Sequence, residues 1–409
     1  MAKKDPPSGV GVVQPAPPAI SRQAVETVRK RLISGDLGSF PIIIGLLVIW
    51  GILQAVNQNF LTARNLNNLL VQITEIGLLG IGVVMVLLLG EIDLSIGSVS
   101  GVCAAVMGVL SYYYHWNAWA AIIAGILAGV VIGLFQGAWI AYIKVPSFIV
   151  TLAGLLGFSG LLLHLLGTQG TVNITDPTID ALASTFLPVT LGWILAIVGV
   201  AAYGAILFSR RLARQRAHLP VPPLARDIVL FAVIALVTLV VTALLNSYLG
   251  VPLATVILLA FVIFFAYITK NTRFGRHVFA VGGNAEAARR AGINVQGIRV
   301  AVFTLSAMMA AIGGIMGASR AISVSPSSGG GNLLLDAIAT AVIGGTSLFG
   351  GRGTIWSALL GALVIGSIEN GMDLLSAGSD VKYIVEGVVL LLAITIDAVS
   401  RRASASAGQ

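Results

Sequence analysis

Long apolar runs alternate with short polar links along most of the chain. The runs fall at 40–56, 71–89, 99–114, 118–142, 148–166, 189–208, 228–245, 253–268, 300–316, 333–348, 355–374 and 383–396. They are apolar throughout rather than along one stripe, which predicts helices surrounded by lipid or by other helices. A perpendicular crossing takes about 20 residues, and several runs are shorter. The expected fold is all-α: a polytopic transmembrane helical bundle of about 10–12 spans, some of them short or broken. Residues 1–39 read as a polar amino-terminal tail, Pro-rich as far as Ile20, with a basic amphipathic helix at 21–33. Residues 40–398 make the transmembrane domain and 399–409 a polar carboxy-terminal tail.

One polar link, 270–299, carries a structure of its own. Asn284 is an N-cap, Glu286 stands in the first turn of a short helix, and Arg289 and Arg290 stand in its last. Gly292 supplies the left-handed stop. About eight residues make a rod of ~12 Å, too short to persist alone in water. It must pack on this chain or be gripped by a soluble partner, and its alanines predict a docking face without bulk.

Charge orients the bundle. Basic residues cluster in the amino-terminal tail, at Arg210, Arg211, Arg214, Arg216 and Arg226, around 270–299, and at Arg401 and Arg402. The positive-inside rule places these regions and both termini in the cytoplasm. The links 168–186, with Asp176 and Asp180, and 246–252, with no charge, then fall outside, where only the single basic residues Arg64, Arg320 and Lys382 remain.

Composition agrees with a membrane protein: 57% apolar, 10% charged and a mean hydropathy of +0.97, where a soluble chain carries about a quarter charged residues. The net charge of +8 is a topology signal in this setting and no reason to expect nucleic acid. The single cysteine, Cys103, excludes an intrachain disulfide. None of the six lysines follows a glycine, so there is no phosphate-binding P-loop. The four histidines are scattered and no HExxH or cysteine cluster occurs. No catalytic, cofactor-binding or metal-ligating set can be assembled, which argues against an enzyme.

The sharpest polar feature among the spans is 90–98, with Glu91 and Asp93 between Gly90 and Gly97. Each carboxylate would cost ~2.5–3.5 kcal/mol at the centre of a spanning helix. The segment is therefore a helix break: either a lining or hinge of a solute path, or an interfacial turn with Asp93 capping a helix that begins at Leu94 or Ser95. Glu75 and Glu369 also lie within apolar runs, and Asp336 and Glu386 near the ends of theirs. Gly125, Gly129 and Gly133 form a close-approach face for a neighbouring helix or for a second copy of the chain. Gly90, Leu94 and Gly97 are echoed at the same spacing by Gly344, Leu348 and Gly351, which a repeated half would leave and which chance in a glycine-rich chain would also give. The glycine-rich links 323–332 and 348–354 read as tight or mobile connections, with Arg352 as an interfacial anchor.

Together these motifs resemble a known family. Glu286-Ala287-Ala288, then three residues, then Gly292, on a cytoplasmic loop, is similar to the coupling loop of permease subunits in bacterial ABC importers. Thr272–Gly275–Arg276, Ala280–Asn284, the 90–98 segment, Val145-Pro146-Ser147-Phe148-Ile149-Val150-Thr151-Leu152, and 343–354 narrow the resemblance to the ribose/galactose/xylose-type sugar permeases, over roughly 77–399. Most members are shorter; the extra stretch at 190–246 is more like the D-xylose-type branch, and permeases for other monosaccharides share the length.

The resemblance implies a multi-pass inner-membrane subunit that pairs with a second copy of itself. An ATP-binding subunit would hold ATP and Mg, and a periplasmic sugar-binding protein would deliver the monosaccharide to outer loops such as 168–186 and 323–332. It implies coupling through Gly282, Gly283, Asn284, Glu286, Ala287, Ala288, Arg289 and Gly292. It leaves Glu91, Asp93, Ser95, Gly97, Thr151 and Glu369 as the candidates for the solute path or its hinge. A rival class, an ion-coupled secondary transporter, draws on the repeat and on Glu91 and Asp93, and lacks a paired charge network at the midplane.

Overall fold

The computed structural model describes residues 40–406; the surface helix expected at 21–33 lies outside them. Two compact units divide the chain, 39–395 and 1–38 with 396–409. The first is a bundle of helices: α1 (Phe40–Val56), α2 (Ala63–Leu88), α3 (Ile96–Tyr112), α4 (Ala118–Ala138, extended by a π turn at Trp139–Ile143), α5 (Ser147–Leu166), α6 (Pro177–Ser184), α7 (Val189–Arg216) and α8 (Leu224–Asn246). There follow α9 (Leu253–Asn271), α10 (Arg273–Gly283), α11 (Ala285–Arg290), α12 (Val295–Ala321), α13 (Leu333–Ile343), α14 (Trp356–Leu374) and α15 (Ser379–Ser406), of which only the residues to 395 belong to this unit. Four two-residue strands, β1 (Val172–Asn173), β2 (Phe186–Leu187), β3 (Val251–Pro252) and β4 (Ser323–Val324), join in two antiparallel pairs, β1 with β4 and β2 with β3.

Every apolar run is a helix, and the polytopic all-α reading holds. Among the described residues, seven helices are long and apolar enough to cross a membrane: α2, α4 with its π turn, α5, α7, α8, α9 and α12. Several are longer than their apolar runs, because polar flanks join the helix. Ala63–Asn68, expected as link, forms the first turns of α2, capped by the Thr62 hydroxyl. The basic stretch to Arg216 continues α7. In the other direction, α13 stops at Ile343 rather than at 348. Its 11 residues cover about 16 Å, half the hydrocarbon thickness, and Gly345 at φ +96° turns the chain away.

The middle of the bundle is α2, with 78% of its apolar window buried. It packs against α12, α13, α14 and α9. The hairpin α7–α8 is the opposite case: 11% of either window is buried, so the rest of the chain covers little of either helix. The glycines of α4 are an internal packing face. A side chain at Gly129 would stand 2.7 Å from the Ala307 carbonyl, and one at Gly133 would stand 2.6 Å from the Thr304 Cα, both on α12.

The links sort to two ends. The strand pairs gather 172–187 with 251–252 and 323–324 at one end. There Trp50 donates to Ser367 at 2.8 Å, Asn65 to Asn370 at 2.7 Å and Asn57 to the Leu374 carbonyl at 3.1 Å, fastening α1 and α2 to α14. The links 89–95, 270–294 and 344–355, and the arginines of 210–226, lie at the other, basic end.

The α4–α12 contact is the test of this packing. Gly133→Val has to push α12 away and is expected to lower the unfolding free energy by about 1–3 kcal/mol. Gly160→Val, on α5 with nothing within 4 Å of the added carbon, is expected to change it little. Thermal denaturation in detergent, followed by loss of the monodisperse peak, compares the two.

Candidate functional site

The short helix in the polar link is α11, with the ends expected of it. The Asn284 Oδ1 accepts from the Ala287 N–H at 2.9 Å. At the other end Gly292, at φ +83°, donates its N–H to the Arg289 carbonyl at 2.9 Å, and Ile293 donates to the Ala288 carbonyl at 3.0 Å. These are the two crossing bonds of a Schellman stop. Its six residues are fewer than expected, because the caps were counted into the helix. Glu286 pairs with Arg289 at 3.2 Å and with Arg290 at 3.3 Å.

The two faces of α11 differ. Gly283, Asn284, Glu286, Ala287, Arg289 and Gly292 are exposed, whereas Ala288 is buried and packs on the chain's own core. Of the two alanines expected on one bulk-free face, Ala287 is open and Ala288 anchors the helix to the bundle. The residues before it, read as part of a link, form the helix α10. Its buried residues Gly275, Val278 and Val281 recur at every third position, a signal the sequence did carry.

Gly282, at the end of α10, is where this loop touches the bundle. A side chain there would overlap the Leu88 carbonyl and come within 2.9 Å of the Gly351 nitrogen. Gly351 N–H donates to that same Leu88 carbonyl at 3.0 Å. A side chain at Gly350 would stand 2.6 Å from the Gly282 carbonyl and 2.9 Å from the Gly90 nitrogen. Three pieces of chain, the end of α2, the link 348–354 and the end of α10, thus meet backbone against backbone. Two of them are the echoed segments of the sequence, which the fold brings face to face.

The break at 90–95 is held by its two carboxylates. Gly90 turns at φ +75°. The Asp93 Oδ1 accepts from the Ser95 N–H at 2.9 Å and from its hydroxyl at 2.7 Å, and Oδ2 accepts from the Ser306 hydroxyl on α12 at 3.2 Å. Helix α3 then starts at Ile96, a residue or two later than expected. Ser95 also accepts from the Gln136 amide at 2.9 Å. Glu91 pairs with Arg299, on the first turns of α12, at 2.9 Å, both largely shielded from solvent. Thr151 donates to the Ile92 carbonyl at 3.3 Å. So Glu91, Asp93, Ser95 and Thr151 form one cluster, while Gly97 faces Gly329 and Glu369 lies elsewhere.

Glu369 belongs to a separate polar chamber that opens toward the strand-paired end. A cavity of about 440 Å³ is lined by Gln72, Glu75, Arg320, Asn332, Asp336 and Glu369, among others. Here the carboxylate oxygens of Asp336, Glu369 and Glu386 lie within 4.8 Å of one another, with Asn332 bonded to Glu386. Each carboxylate was visible in the sequence as an oddity in or near an apolar run. Their convergence from α13, α14 and α15 was not. Glu75 also borders a second cavity of about 270 Å³, walled by the serines and glycines of 323–330.

The whole chain has relatives. The family model described as branched-chain amino acid transport system / permease component matches residues 65–394. The chain is 39% identical to a xylose transport system permease protein of Haemophilus influenzae over 376 residues, which is 91% of this chain and 99% of that one. It is 39% identical to the xylose transport system permease protein of Escherichia coli, over 84% of this chain and 87% of that one. To a ribose import permease protein of Bacillus subtilis it is 32% identical, over 92% of this chain and 98% of that one. No solved structure gives a significant match.

The Glu91–Arg299 pair ties the break to α12, and a double-mutant cycle measures it. Arg299→Met alone leaves a shielded carboxylate without its partner and is expected to destabilise more than the double variant Arg299→Met/Glu91→Gln. The expected coupling energy is about 1–3 kcal/mol, read from thermal unfolding of the detergent-solubilised chain; additive effects would show that the pair carries no net interaction.

Proposed function

This chain belongs to the branched-chain amino acid transport system / permease component family, and from that premise we propose that it is the membrane-spanning subunit of an ATP-driven importer of a monosaccharide, D-xylose first among them. The observation that carries the choice of sugar is the 39% identity to xylose permeases, along almost the whole chain. The ribose permease, at 32%, is also covered along its length but is less similar.

The subunit works in the inner membrane with both termini in the cytoplasm, an orientation supported by the basic residues at 210–226 and 270–299. It pairs with a second copy of itself. A periplasmic sugar-binding protein docks on the strand-paired end, and an ATP-binding subunit, which carries ATP and Mg, grips α11. Hydrolysis belongs to that subunit; the chain itself is not an enzyme. The open face of α11 offers the grip through Glu286, Ala287 and Arg289, with Asn284 and Gly292 fixing its ends. Gly282 and Gly283 pass the motion on. Because Gly282 meets Leu88 and Gly351 without intervening side chains, a displacement of α11 reaches both helix interruptions at once. Glu91, Asp93, Ser95, Gly97 and Thr151 make the hinge that responds, and Glu369 lies along the path.

Uptake into membrane vesicles tests this reading. D-xylose accumulation is expected to need ATP, the ATP-binding subunit and the sugar-binding protein, and to survive collapse of the ion gradients; accumulation that follows an ion gradient instead would overturn it. Ala287→Trp, on the open face of α11, is expected to cut uptake roughly tenfold at unchanged membrane abundance, as a blocked hot spot does. Ala288→Glu buries a charge in the core and is expected to lower the abundance itself.

A further inference from the structure

The segment after β4 is irregular chain that runs along α3. Val324 lies beside Gly108, near the strand-paired end of α3, while Gly329 lies beside Gly97 in its first turn. Eleven helical residues separate those two levels, about 16 Å. The descending segment 325–331 contains Ser325, Ser327, Ser328 and three glycines. It is pressed so closely on α3 that side chains at Gly97 and Gly101 would meet the carbonyls of Gly329 and Ser328. Non-helical backbone at membrane depth is tolerated where it is buried in protein or lines a water-filled cavity. One face of this segment does the first against α3. Its other face lines the 270 Å³ cavity that borders Glu75.

From Glu75 the space continues into the 440 Å³ chamber. Toward the basic end it closes. Every residue of α2 from Ile76 to Leu88 is buried. Thr340 packs on Gly80, and the Ser306 backbone packs on Gly82. The Thr340 hydroxyl, fully buried, has no hydrogen-bond partner. It stands one turn beyond Asp336 on the same face of α13, the next polar group along that helix toward the basic end.

We propose that the two joined cavities are a binding site for the monosaccharide, in which the segment 325–331 forms one wall and Glu75 the floor. The inference rests on the sugar-importer reading above and gives that reading a place. A sugar hydroxyl both donates and accepts, so its site needs acceptors and donors interleaved. Here the carboxyl groups of Glu75, Asp336 and Glu369 accept through their oxygens and donate where they hold a proton, Arg320 donates, and Gln72 and Asn332 do both. Asp336, Glu369 and Glu386 could close on a cation in one corner, but the rest of the space, lined also by Arg320, Gln72 and Asn332, is far larger than an ion needs. The volumes are those of small-molecule sites in general. In this structure the site is open to the strand-paired end and shut toward the basic end. A sugar released from outside would stop at Glu75 until α2 and α13 part between Gly80 and Thr340.

The test uses the complete importer, with its ATP-binding subunit and sugar-binding protein, in vesicles. Ser327→Cys is labelled from outside with a membrane-impermeant thiol reagent, Cys103 being fully buried. Saturating D-xylose is expected to slow labelling at least fivefold, and L-glucose much less. Glu75→Gln is expected to raise KM for uptake roughly tenfold, as loss of a hydrogen-bonding carboxyl oxygen does, and Glu75→Leu to abolish uptake. Labelling that ignores D-xylose, or an unchanged KM in Glu75→Gln, overturns the site while wild-type uptake stands. Protection by sodium or calcium ions in place of sugar overturns it in favour of a cation site. Wild-type vesicles that take up no monosaccharide overturn the importer reading instead, so the two failures are distinct.

Discussion

The structure depends on one constraint: a helix interrupted inside an apolar bundle must have its exposed backbone groups satisfied by protein. Two interruptions, after α2 and after α13, lie at the basic end, and they satisfy each other. The Leu88 carbonyl, freed at the end of α2, accepts from Gly351 of the other interruption. Gly282 then seats on that same carbonyl. Any side chain at Gly282 or Gly350 would wedge the segments apart, which is why glycine stands at these contact points and not merely in a glycine-rich chain. The exposed loop around α11 is thereby keyed to the two places where the helices are already broken.

The charged residues follow from the same arrangement. Glu91 and Asp93 are tolerable near the interior because the break brings backbone and hydroxyl donors to them, with Arg299 and Ser306 arriving from α12. The second group of carboxylates sits where α13 fails to span. A helix of 11 residues leaves room above it, and the descending segment 325–331 fills only part of that room. The chamber is the remainder. Its openness at one end and the tight glycine contacts at the other are two consequences of one short helix.

The apolar runs made the helices legible, because an all-apolar stretch in a chain this poor in charge has few alternatives. The caps of α11 were legible for the same local reason: Asn284 and Gly292 act within a few residues of themselves. What escaped was whatever depends on convergence. The pairing of Glu91 with Arg299 joins residues 208 apart in sequence. Asp336, Glu369 and Glu386 each read as an isolated irregularity until α13, α14 and α15 brought them within 4.8 Å. The link 323–332 read as a connection on the outside because serine and glycine mark turns. Its descent along α3 is set by the small residues Gly97 and Gly101, whose meaning appears only once their partner is known. Ala288 was misjudged in the same way: six residues do not say which side of so short a helix faces home.

The α7–α8 hairpin shows how little of this the periphery can disturb. Its helices pack mainly on each other, with the Arg211–Asp227 pair at 2.9 Å near the turn. Its ties to the rest are few and lie at the strand-paired end: the β2–β3 pair, and Asn67 donating to the Leu245 carbonyl at 3.4 Å. Neither helix lines the chamber or reaches the junction at Gly282. A hairpin attached in this way adds two apolar helices that the rest of the chain barely covers, without altering the backbone contacts at Gly282. The length that first pointed to the xylose-type branch is therefore physically separate from the groups that would recognise a sugar. The polar groups gathered around Glu75 and α13 owe nothing to the hairpin, whose helices touch neither cavity.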